Sequence, residues 1–141
     1  MAVQQVSFYS DAADPLHFAC RLIRRALASG KPVGVCVPPA QAARLDGLLW
    51  SFEATEFIPH RRWDGATAPA PGEVLLVADA ARLPHRGLLL NLGDELPSAA
   101  FEFERVLEVI GTDPERVQAG RVRYRSYKQS GAKLDHFSAA G

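Results

Sequence analysis

The sequence predicts a single α/β domain on a mainly parallel sheet flanked by helices, and three observations carry that expectation. Short apolar runs rich in valine and leucine, such as Val33 to Val37 and Val74 to Ala78, read as strands buried on both faces. They alternate with segments whose apolar residues recur at three- and four-residue steps, the mark of helices packed on such a sheet. The 141 residues contain no internal repeat and no linker-like tract, so residues 1–141 are read as one domain.

The elements follow in order. Val3 to Tyr9 reads as a first strand, with Val3, Val6, Phe8 and Tyr9 as its apolar residues. Pro15 then opens a helix through Leu16, Phe18 or Ala19, Leu22, Ile23, Ala26 and Leu27, which ends at Ser29-Gly30. Val33 to Val37 is the second strand, stopped by Pro38-Pro39. Gln41 to Trp50 reads as a second helix through Ala42, Leu45, Leu48 and Leu49. Periodicity fades from Ser51 to Gly72. Val74 to Ala78 is a third strand and Leu88 to Leu92 a fourth, bounded by Gly87 and Gly93. Ala99 to Phe103 suits a turn of helix, and Val106 to Ile110 a fifth strand. A terminal helix starts at Asp113-Pro114-Glu115, an acceptor followed by proline at the first helical position. Ala132 to Gly141 is expected as a partly disordered tail without a role.

Composition excludes several classes of protein. Sixteen bases balance 16 acids, so no global field draws in nucleic acid, and direct DNA binding is not expected. Cys20 and Cys36 have no metal-type spacing, and His17, His60, His85 and His136 share no ligand pattern, so no metal or other cofactor is expected. Met1-Ala-Val-Gln-Gln shows neither a charged n-region nor an apolar h-region, so no signal peptide is expected, and no apolar run approaches the ~18 residues that span a bilayer. The reading is cytoplasmic.

An α/β sheet invites a nucleotide site at the carboxyl ends of its strands. Here Ser10 to Pro15 follows the first strand with no glycine to let a backbone approach phosphate. Gly30-Lys31 follows a helix rather than a strand, and Pro32 stands where a magnesium-holding hydroxyl would be needed. Asp11 and Asp14 suit capping of the first helix better than metal binding. No catalytic constellation emerges, so the chain is not expected to be an enzyme.

Two segments draw attention instead. On the terminal helix, at about 100° per residue, Val117, Gly120, Tyr124 and Tyr127 form one stripe. Arg121, Arg125 and Lys128 flank it on one side, Arg116 and Arg123 on the other. Such a stripe suits a partner both apolar and acidic; the competing reading turns the tyrosines toward the core and leaves the bases as a solvated rim. The second segment runs from Trp50 to Trp63 and carries Phe52 and Phe57, aromatics suited to an interface; the competing reading has Trp50 close the second helix on the sheet and Phe57 begin an edge strand.

Together these motifs resemble the chi subunit family of bacterial DNA polymerase III. The matching residues are Phe8-Tyr9, Ser29-Gly-Lys-Pro-Val33, Ala43-Arg-Leu-Asp46 with Leu49-Trp50, Phe57-Ile-Pro-His60 and Arg121-Val-Arg-Tyr-Arg-Ser-Tyr-Lys128. Their order and spacing cover some 120 residues. The resemblance implies a non-catalytic adaptor of the clamp-loader complex during DNA replication, on a fold like the mononucleotide-binding ones without their phosphate loop. It would bind the psi subunit on one surface and the acidic C-terminal tail of single-stranded DNA-binding protein on another. By resemblance Arg121, Tyr124 and Arg125 fall on tail-contacting positions, and Lys128 joins them from the same helix face. Val117 stands where the family can place a base, and Val117 and Ile110 are expected to line an apolar pocket. The psi interface is expected at Trp50, Phe52, Phe57, Pro59 and His60. The alternative is a nucleotide- or phosphate-dependent enzyme on a Rossmann-like fold.

Overall fold

The computed structural model describes residues 4–51 and 58–139. Among these, seven strands form one sheet: β1 (Gln5–Ala12), β2 (Val33–Cys36), β3 (His60–Arg62), β4 (Val74–Val77), β5 (Leu88–Asn91), β6 (Arg105–Gly111) and β7 (Lys133–Ser138). Their order is β3-β4-β2-β5-β6-β1-β7, and every neighbouring pair is parallel. Parallel neighbours require crossovers. Three helices serve here, α1 (Pro15–Leu27), α2 (Pro39–Ser51) and α3 (Pro114–Gln129), with short 3-10 turns at Ala80–Arg82 and Ser98–Glu102.

The helix starts follow the sequence signals. Asp14 accepts from the His17 amide ahead of Pro15, and Asp113 accepts from the Glu115 amide ahead of Pro114. In α2 the helix begins at Pro39, two residues before the expected Gln41, because proline's fixed φ suits a first helical turn.

Alternation along the strands divides the interior in two. Val35, Val74, Leu76, Leu90 and Val109 face α1 and α2. Val6, Phe8, Leu75, Leu89 and Val106 face the opposite side with Phe103, Ile110 and Tyr127 of α3. Each strand of the sheet's centre therefore carries apolar side chains on both faces, which is why its sequence reads as a continuous run.

Two strands depart from expectation. β3 is only three residues, His60-Arg61-Arg62, and β7 is Lys133-Leu-Asp-His-Phe-Ser138, where a disordered tail was expected. Both are edge strands, so they carry charge and bury little, and neither shows an apolar run. β7 is held by parallel pairing with β1 from Gln5–Lys133 to Ser10–Ser138.

Gly87 shows how tightly the strand entries pack. A Cβ there would lie 2.9 Å from the Pro32 carbonyl oxygen and 3.0 Å from its ring Cδ. That carbonyl cannot retreat freely, since it accepts from the Leu88 amide at 2.9 Å. Gly87→Ala should therefore destabilise the fold by about 1–3 kcal/mol, the usual cost of overpacking, read as a lower denaturant midpoint at unchanged slope.

Candidate functional site

The sheet face under α3 carries one buried carboxylate. Glu108 of β6 is fully buried, and four donor contacts converge on it. Arg123 Nε donates to Oε1 at 3.0 Å, the Tyr127 hydroxyl to Oε2 at 3.0 Å, and Asn91 Nδ2 approaches both oxygens at 3.1 and 3.2 Å. Arg123 Nη1 also donates to the Asp94 carbonyl at 2.6 Å. Burial pushes the Glu108 carboxyl up, while the Arg123 guanidinium and the Asn91 and Tyr127 donors pull it back down. Burial and the neighbouring carboxylate push the Tyr127 phenol far above its ordinary value, so it stays a donor.

This network decides which way α3 faces. Gly120, Arg123 and Tyr127 point inward, with Gly120 against the Ile110 side chain. Phe8 meets Tyr127 at 5.9 Å and Tyr124 at 5.2 Å, both edge-on. The stripe read from spacing is thus split. Tyr127 and Gly120 belong to the core, whereas Val117 and Tyr124 are half-buried at its rim. Arg123, expected beside the stripe as a flanking base, is 2% exposed.

Outside that rim stand Arg121, Arg125 and Lys128, all exposed. Spacing of four and three residues puts them on one arc of the helix with Tyr124 and Val117. Among the described residues none of the three has an ion-pair or side-chain hydrogen-bond partner. Arg116, by contrast, leans to the other flank and pairs with Asp94 at 3.3 Å. Ile110, 8% exposed, sits in the apolar cluster that Val117 packs against. The rim therefore offers a half-buried aromatic ring and three unpaired cations.

The other expected surface lies at the far edge of the sheet. Trp50, at the end of α2, is 58% exposed, and its ring lies 4.8 Å from that of His60. His60 is buried, with Nδ1 donating to the Ile58 carbonyl at 2.6 Å and Nε2 3.1 Å from Asp46. Pro59 is half-buried. Phe52 and Phe57 lie outside the described residues. His60 thus supports Trp50 from below rather than presenting itself.

At the carboxyl ends of the strands, a cleft of about 230 Å³ lies between α1, α2 and α3. Its charges are mutually paired, Arg44 with Asp14 and Arg116 with Asp94. Cys20 and Cys36 are buried thiols, each pushed up to about 11 chiefly by burial, and so stay protonated near neutrality. No helix of the described residues is long and apolar enough to cross a membrane.

These features define an all-parallel α/β domain whose first strand-to-helix turn carries no glycine and whose last helix carries an unpaired cationic rim. Comparison with known proteins then places the chain. A family model described as DNA polymerase III chi subunit, HolC, matches residues 3–135. DNA polymerase III subunit chi of Pseudomonas aeruginosa is 39% identical over 94% of this chain and 95% of its own length. The proteins of the same name from Haemophilus influenzae and Escherichia coli are 32% and 29% identical, each over 82% of this chain and 81% and 80% of their own lengths. The chain belongs to the DNA polymerase III chi subunit family.

The buried network predicts a large cost for breaking it on one side. Arg123→Ala leaves the Glu108 carboxylate without its cation and should destabilise the protein by about 3–5 kcal/mol, measured by equilibrium denaturation. Arg121→Ala, at an exposed position two residues away, should change stability by less than about 0.5 kcal/mol.

Proposed function

We propose that this chain is a non-catalytic accessory subunit of the replicative DNA polymerase III, linking its clamp loader to coated single-stranded DNA. In this reading it binds the psi subunit and the acidic C-terminal tail of single-stranded DNA-binding protein. Membership of the chi family supports the replication role. The observation that carries the tail site is the trio Arg121, Arg125 and Lys128, exposed and unpaired around half-buried Tyr124. Arginine takes a terminal carboxylate through two parallel donors, and the rim of Tyr124 and Val117 offers apolar contact to a terminal phenylalanine. Exposed Trp50, propped by His60, supports a psi interface at the opposite edge of the sheet. The two surfaces lie toward opposite ends of the strand order, α3 over β6 and β1 and Trp50 beside β3.

Calorimetric titration with an acidic nonapeptide ending in proline-phenylalanine tests this. The wild type should bind and lose affinity with added salt. Arg121→Ala should cost about 1.5–3 kcal/mol of binding, the scale of a charge-assisted contact. Binding unchanged by Arg121→Ala and Arg125→Ala would move the site off α3.

A further inference from the structure

The fold assembles a second cationic surface from residues far apart in sequence. Phe18, Arg21 and Arg25 of α1 share one flank by their spacing. Ring contacts turn that flank toward β1 and β7. Phe18 lies 5.5 Å from Tyr9, Tyr9 stacks on Phe137 at 5.4 Å, and the Arg21 guanidinium sits 5.7 Å over Phe18. Phe137 is 48% exposed. Toward the end of α1 a cavity of about 250 Å³ has Arg25, Ser29, Lys31 and Arg105 in its wall and Tyr9 and Leu107 among its apolar lining. Arg105 Nη2 donates to the Ser7 hydroxyl at 2.9 Å, and its Nη1 is buried without a protein partner. Strand alternation puts exposed Lys133 on the same face of β7 as Phe137.

Acids only partly offset these bases. Glu104 meets Lys31 at 3.5 Å between two well-exposed side chains, and Asp135 accepts from Gln5 Nε2 at 3.2 Å. Arg21, Arg25, Lys31, Arg105 and Lys133 therefore leave a net positive trough. From Phe18 to Leu27 it runs about 14 Å along the helix, room for a few nucleotides.

We propose that this trough contacts a short segment of single-stranded nucleic acid. A base would stack on Phe137 and phosphates would lie on Arg21, Arg25, Lys31 and Arg105, the pairing of aromatic platform and cationic groove that single strands favour. The sequence argued against DNA contact because net charge is zero and no second basic stripe is visible. The stripe is not contiguous in sequence: α1, the turn after it, β6 and β7 each contribute part. This inference stands apart from the tail site on α3.

Fluorescence anisotropy of a labelled oligothymidylate of about a dozen nucleotides with the full chain tests it. At low salt the wild type should bind. Arg25→Ala should lower the slope of log affinity against log salt by about one. Phe137→Ala should weaken binding about five- to a hundredfold. Arg121→Ala should leave binding within about twofold, since Arg121 lies on the other face of the sheet and outside this contact. The proposal is overturned by no binding at low salt, by loss in Arg121→Ala with Arg25→Ala unaffected, or by equal competition from polyglutamate. An abasic oligomer that binds as tightly as oligothymidylate would also overturn it, because the stacking platform would then do nothing.

Discussion

The seating of α3 depends on a buried ion pair, Glu108 with Arg123, closed by Tyr127 and Asn91. Burying a carboxylate and a guanidinium costs several kcal/mol each in lost hydration, and that cost is offset only when the remaining donors and acceptors are paired. Here the carboxylate receives three different donor groups, and the arginine also reaches the Asp94 carbonyl. α3 brings few apolar residues to the sheet, with Gly120 and Tyr127 buried and Val117 and Tyr124 half-buried. Apolar contact alone would leave its rotation about its own axis weakly defined. The polar network supplies the missing specificity: a turn of one residue would strand Glu108 with no cation.

Fixing that rotation sets the chemistry of the outer face. With Arg123 and Tyr127 inward, Arg121, Arg125 and Lys128 must stand outward, and Tyr124 must lie at the border between core and solvent. Gly120 allows the close approach, because Ile110 occupies the space a side chain there would need. The sheet then separates α3 from Trp50, which rests on His60 beside edge strand β3 at the opposite end of the strand order. On the proposed function, the sheet would serve as a spacer that holds these two surfaces apart. In that reading the parallel α/β fold acts as scaffold and the surface residues carry the function.

Much of this was legible in the sequence. Val33 to Val37, Val74 to Ala78 and Leu88 to Leu92 announced central strands because both of their faces are buried, and Asp14-Pro15 and Asp113-Pro114 announced helix starts through capping chemistry. β3 was legible only as one of two readings, an edge strand begun at Phe57, and β7 not at all, since edge strands owe their existence to a neighbour's backbone rather than to their own apolar pattern. On α3 the spacing of Val117, Gly120, Tyr124 and Tyr127 marked the stripe but left open which way it faced. A signal was present in Glu108, the single acid within the run Val106 to Ile110, which had to find a cation once buried. Read with it, Arg123 separates from Arg121 and Arg125 as the inward base. The trough along α1 had no local signature, because Arg105 and Lys133 reach it only through the sheet's register.

On the proposed function, the buried network presents the outer arc of α3 as the binding surface for an acidic tail. Titrating isotopically labelled protein with the proline-phenylalanine nonapeptide and following backbone amide resonances tests it most directly. The largest shifts should fall between Val117 and Lys128, with small ones at Ile110, while amides of α1 and α2 stay still. Shifts centred instead on Trp50 and β3, or spread evenly over the sheet, would contradict it.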